Sequence, residues 1–265
     1  VNRYPDIISK LFYEPVAITR AHHRFLCSVV EAHMAKVDGP RAEAEADEEA
    51  EAEYTQIGKT VIIPVRGVLT GHADDIPMST CGCGMDALSE KIDVALNDSS
   101  VSTLLFNYRT PGGSVVGLPE LGDKIAGIVS KRTIGFTDSQ CCSGGMWLAM
   151  QCQQFYCTGS ARVGSIGVWC AYMDATKALK KEGIKIQEFF AGKYKTMGAY
   201  WKSLSEEESA MLQASVDKIH AQFKEAVETR REVADEFMQG QIFDGPEAVE
   251  AGLVDGLVES IEELL

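Results

Sequence analysis

No stretch of the chain approaches the ~20 consecutive apolar residues of a membrane-spanning helix, so no span is expected. Basic residues are in deficit: 25 Lys and Arg stand against 39 Asp and Glu, a formal net charge of −14. No basic patch stands out, which argues against a nucleic-acid surface. Val1-Asn2-Arg3-Tyr4-Pro5-Asp6 lacks the apolar core and small-residue cleavage site of a signal peptide, and none is expected there. Metal-ligand spacing is also missing. Cys81-Gly82-Cys83 leaves one residue between its thiols, with no His or second cysteine pair nearby in sequence, so neither a metal nor another cofactor is expected. The eight cysteines are adjacent or scattered within apolar segments and read as reduced core thiols in a cytosol-like compartment.

What is present is an α/β pattern. At 265 residues the chain has room for one large domain and an appendage. Residues 1–38 read as a small helical N-terminal appendage, with Ile7, Ile8, Leu11 and Phe12 at helical spacing, a break at Pro15, and a second periodic stretch from Ile18 to Met34. His22, His23 and His33 are expected at exposed helix positions. Residues 39–57 alternate alanine with acidic residues and read as a linker, because dense like charges repel and have little to bury. The main domain spans 58–265. Strands are expected at 60–67, 101–108, 133–136, 154–157 and Ile184–Phe190. Helices are expected at 85–96, 115–129, 175–182 and Ser205–Phe237, the last opened by a Ser205 N-cap. Strands alternating with helices predict parallel βαβ units.

The chemistry concentrates at a strand-to-helix turn, Asp138-Ser139-Gln140-Cys141-Cys142-Ser143-Gly144-Gly145-Met146. A serine at such a turn exposes its Oγ beside the free N–H groups of the helix start, which suits a nucleophile whose attack creates an oxyanion. Thr110-Pro111-Gly112-Gly113 ends another strand, and in a parallel sheet those ends share one side. The Gly113 and Gly144 N–H groups are therefore a candidate oxyanion hole. Gly112 and Ser114 flank a candidate site where a peptide adds as a strand. Ser143 also needs a base. The only histidine between it and the end of the long helix is His220, in mid-helix, so a lysine is the alternative. Gly192-Lys193-Tyr194-Lys195 offers two, and pattern alone does not choose between them.

In this order, Thr110–Gly113, Ser143-Gly144-Gly145-Met146-Trp147-Leu148-Ala149, Gly164-Ser165-Ile166-Gly167-Val168, Ala191-Gly192-Lys193-Tyr194-Lys195 and Ala251-Gly252-Leu253-Val254-Asp255 resemble the motifs of the S49 serine peptidases. The likeness covers about residues 58 to 260. It implies a ClpP/crotonase-like fold of stacked βαβ units and a Ser–Lys dyad. Ser143 is then the nucleophile and Lys195 the general base, with Ser165 hydrogen-bonding that lysine and Gly113 and Gly144 holding the oxyanion. Ring-like homo-oligomers are implied as well. Leu11–Ile18 followed by a helix resembles the phage and prophage branch, whose members cleave scaffold and capsid or portal proteins in the prohead, within the host cytoplasm. Arg109 and Thr110 depart from that family, standing where Asp-Ser often precedes Pro-Gly-Gly. The competing readings are signal-peptide-peptidase-like peptide degradation, a crotonase-like acyl-CoA hydratase or isomerase, and a non-catalytic capsid-associated scaffold.

Overall fold

In a computed structural model of the chain, the described residues are 15–20, 22–24, 55–72 and 82–265. The first expected helix, nearly all of the linker, Cys27, His33 and Cys81 lie outside them. The described elements, in chain order, are β1 (Val16–Ile18), β2 (Thr55–Ile57), β3 (Thr60–Arg66), β4 (Val68–Thr70), β5 (Gly82–Gly84) and α1 (Met85–Asn97). Next come β6 (Thr103–Arg109), β7 (Gly112–Ser114), α2 (Leu118–Ala126), β8 (Arg132–Thr137), β9 (Gln140–Cys142), α3 (Gly144–Ala149), β10 (Gln154–Cys157) and β11 (Arg162–Gly164). The chain ends with α4 (Thr176–Lys181), α5 (Glu206–Glu228), β12 (Ile242–Phe243), α6 (Gly245–Glu250) and β13 (Gly256–Leu257).

The main sheet has six strands in the order β13-β10-β8-β6-β3-β2, all parallel except β2. β6 lies inside it, and Leu104, Leu105, Phe106 and Tyr108 are all sealed from solvent, as expected for a parallel strand covered on both faces. One face packs with α1, α2 and α3 in a cluster that includes Ile63, Phe106, Leu88, Leu121 and Trp147. The other face presents Leu105, Ile134 and Phe136 to Val258, Ile261 and Leu264 near the C-terminus. The α/β fold class of stacked βαβ units is as expected. Two smaller sheets, β1-β7-β4-β5 and β12-β11-β9, stand where β6 and β8 run on past the main sheet. Among the described residues no helix is long and apolar enough to cross a membrane.

Four local expectations change. Pro15 is followed first by the strand β1, and only then by helical residues at 20 and 22–24. β1 forms because its edges find partners in the main domain, which outweighs the helical periodicity. His23 is buried, with its ring 4.3 Å from that of Trp169, instead of exposed. Ile184–Phe190 is not a strand: among the described residues no segment pairs with it, and Phe189 is 87% exposed. The long helix stops at Glu228, nine residues short of Phe237. Beyond it Arg230 donates to the Ala126 carbonyl and Arg231 pairs with Asp255, and these tertiary bonds draw the chain off the helix axis.

The N-cap of α5 is as expected. Ser205 Oγ accepts from the Glu208 N–H at 3.2 Å, and Glu208 Oε2 accepts from the Ser205 N–H at 2.9 Å. Ser205→Ala is expected to cost about 1 kcal/mol in urea unfolding.

Candidate active site

Ser143 leaves β9 and opens α3. β9 is gripped on both edges: it runs parallel to β11, with Cys142 opposite Gly164. On the other edge the Thr110 N–H donates to the Gln140 carbonyl at 2.9 Å and the Cys142 N–H to the Thr110 carbonyl at 3.1 Å. The Ser143 N–H donates to the Gly164 carbonyl at 2.8 Å, and its own carbonyl accepts the Trp147 N–H at 3.1 Å. Between these anchors the backbone adopts φ 53° and ψ −117°, a conformation strained for a residue with a Cβ and held only by such surroundings. Ser143 Oγ lies 3.4 Å from the Gly167 carbonyl. Ser165 follows the same Gly164 and also has a positive φ, 56°, with its N–H on the Gln241 carbonyl.

The neighbouring thiols do not compete with the hydroxyl. Burial pushes Cys142 up to about 12 and Cys141 well above the usual thiol range. Only a thiolate is a good nucleophile. Cys141, Cys142 and Cys152 are therefore expected to resist iodoacetamide at pH 8 in the native chain and to react after denaturation. Peptide mapping checks this, and native labelling at Cys142 contradicts it.

Gly113 pairs with Leu69 of β4, and a Cβ on it would meet the Leu69 backbone well inside 3.0 Å, so no larger residue fits. Gly112 has φ 95°, and its N–H donates to Thr110 Oγ1 at 3.1 Å. A Cβ on Gly112 would stand 2.8 Å from the Gly144 nitrogen and 2.9 Å from Ser143 Cβ. The Gly112-Gly113 strand thus touches the Ser143 turn. Gly144 is the first residue of α3, whose N–H has no acceptor within the helix. Gly145 makes room for Thr110, because a Cβ there would lie 2.5 Å from Thr110 Cγ2. Thr110 serves locally as the acceptor that shapes the Gly112 turn. Arg109 points away and pairs with Asp138 at 2.7 Å. Ser114 Oγ accepts from the Val116 N–H at 3.1 Å.

Ser143, Gly112, Gly113, Gly144 and Ser165 are brought together; Lys195 is not. It lies exposed in a run of turns, and among the described residues no hydrogen bond joins it to Ser143 or Ser165. Lys193 is committed elsewhere. Its ammonium lies 2.6 Å from Glu207, and that hydrogen bond pushes Lys193 above the ordinary lysine value, opposite to what a base needs. His220 is packed, with Nε2 2.8 Å from the Met238 carbonyl.

Peptidase family S49 matches residues 130–263, which is half of the chain and includes the Ser143 turn, Ser165 and Lys195. The chain belongs to this family. It is 25% identical over 286 residues to capsid assembly protease C of Escherichia phage lambda, covering 100% of this chain and 65% of that protein. It is 25% identical over 279 residues to the head-tail preconnector protein GP5 of Enterobacteria phage P21, covering 97% and 56%. A putative protease of Synechocystis is 31% identical over 167 residues, covering 61% and 60%. The chain therefore spans less than two thirds of the length of each of these relatives.

Sequence reasoning missed the element lying across the Ser143 turn. β1 pairs antiparallel with β7, with Ala17 opposite Gly113. Its signal was Val16-Ala17-Ile18, two β-branched residues between Pro15 and Thr19, masked by the helical spacing that follows.

Proposed function

We propose that the chain is a serine endopeptidase in which Ser143 attacks a peptide carbonyl and the Gly113 and Gly144 amides hold the oxyanion. One observation carries this reading: a serine at φ 53° sits where the Gly112-Gly113 strand meets a helix N-terminus. A strained turn of this kind can set a nucleophile beside the N–H donors of a helix start, which supports the reading. Lys195 is the base. Lys193 is held by Glu207, whereas the Lys195 amine is uncommitted among the described contacts. An amine becomes a base near neutral pH when burial strips its solvent. The exposed 184–204 limb must therefore close on a Ser143, its own or that of a second copy. Phe189, Phe190, Ile184 and Ile186 are exposed along this limb, apolar surface that a homo-oligomer would cover. Ser165, beside Gly164, would then steady the lysine.

Lambda protease C is named for capsid assembly, and the P21 protein for the head-tail connection. Both support scaffold, capsid or portal proteins as substrates, cut within a prohead. An acyl-CoA hydratase would need carboxylates at this turn, and Asp138, the nearest in sequence, is paired with Arg109 at the surface. The test is cleavage of a co-expressed scaffold protein. Ser143→Ala and Lys195→Ala are each expected to abolish it while Lys193→Ala retains it. Full activity in either of the first two removes this mechanism.

A further inference from the structure

β1 is held along both edges as a bound peptide would be. On one edge, Val16, Ala17 and Ile18 face Ser114, Gly113 and Gly112 in antiparallel register, and the Thr19 N–H donates to the Pro111 carbonyl at 3.0 Å. On the other, the Val16 N–H donates to the Trp169 carbonyl at 2.9 Å, and the Trp169 N–H returns to the Val16 carbonyl at 3.2 Å. The Trp169 indole N–H donates to the Ile18 carbonyl at 3.1 Å. Backbone groups of successive strand residues turn to opposite edges. With Val16 and Ile18 turned to Trp169, Ala17 turns its N–H and carbonyl to Gly113.

The Ala17 carbonyl oxygen therefore sits at the Gly113 N–H. A Cβ on Gly112 would collide with that oxygen, and the same point lies 2.8 Å from the Gly144 nitrogen and 2.9 Å from Ser143 Cβ. A Cβ on Gly144 would lie 3.3 Å from it. The carbonyl of Ala17 thus lies on the Gly113 N–H and beside the Gly144 backbone and the Ser143 Cβ, with the Ser143 hydroxyl turned to the Gly167 carbonyl one side-chain rotation away. Ala17 is fully buried and Ser143 is 1% exposed. An ordinary structural strand has no need to place a carbonyl there; an extended peptide positioned for attack does.

We infer that residues 15–19 are a substrate of the chain's own site, cut between Ala17 and Ile18, and that until they are cut they fill the cleft that other peptides require. The inference rests on the Ser143 peptidase reading. Ser143 Oγ bonds to the Ala17 carbonyl carbon as its proton passes to the base. The C–N bond to Ile18 breaks, and the Ile18 nitrogen takes that proton and leaves as an amine. Water then cleaves the Ala17 ester, giving the Ala17 carboxylate and restoring the Ser143 hydroxyl. The enclosed methyl of Ala17 further implies that the site accepts a small residue at the cleaved carbonyl.

The test is intact-mass and N-terminal analysis of the full-length chain, incubated alone and with a scaffold protein. Wild type is expected to lose residues 1–17 and accumulate a chain beginning Ile18-Thr19-Arg20. Ser143→Ala, with an unchanged circular dichroism spectrum, is expected to keep them. Ala17→Phe is expected to be cut at this bond at least tenfold more slowly, the readout that separates a fitted carbonyl from accidental nicking. Ser143-dependent cleavage of the scaffold protein with the Ala17–Ile18 bond left intact overturns this inference alone. Equal cutting of the Ala17→Phe variant at that bond overturns it as well. Absence of any Ser143-dependent cleavage overturns it together with the peptidase reading.

Discussion

Ser143→Ala is expected to lower cleavage about 10⁴–10⁶-fold with no loss of folding stability, since removing a nucleophile usually costs as much as removing the whole catalytic set. Stability is preserved because the turn is held by backbone bonds, from the Ser143 N–H to Gly164 and from Trp147 to the Ser143 carbonyl. The hydroxyl itself has only a 3.4 Å contact with the Gly167 carbonyl. Alanine keeps the Cβ and therefore the same backbone strain. A drop in activity accompanied by an unchanged melting temperature is the signature of lost chemistry. A variant that stays active would exclude the hydroxyl as nucleophile.

Gly113→Ala is expected to act in the opposite way, through the fold. Its Cβ would collide with the oxygen, nitrogen and carbonyl carbon of Leu69, all backbone of the neighbouring strand β4. Backbone cannot swing aside as a flexible side chain does, so β4 and β7 must separate. A cost on the order of 3 kcal/mol follows. In a chain of this size that lowers the melting temperature by about 6–12 °C. The Gly113 N–H would move with its strand, and loss of one oxyanion donor costs a further ~2.7–4 kcal/mol in the transition state. Gly159→Ala provides the control, because a Cβ there meets nothing within 4 Å. Equal melting temperatures for the two variants would refute the packing account.

Much of the fold was legible in local pattern. The apolar runs at 60–66 and 103–109 and the amphipathic stretch at 85–97 form their elements because each pattern matches the face it buries. The Ser205 cap was equally plain, because a capping box is satisfied within four residues. Ile184–Phe190 misled because its apolar content resembles that of a strand, whereas a strand requires a hydrogen-bonding neighbour, and none of the described residues pairs with it. The end of α5 misled because Arg230 and Arg231 bond to groups far away in sequence.

By itself the sequence determined the α/β class, the family likeness, the serine turn and the glycines beside it. These follow from residue spacing, and glycine is favoured where backbone meets backbone, as at Gly112 and Gly113. Tertiary structure alone decided that Lys193 is taken by Glu207, that Lys195 stands out in solvent, and that Val16–Ile18 lies across the serine turn. Each of these depends on which distant segment comes alongside, and the hydrogen-bonding edges and charges that select the neighbour belong to other parts of the chain.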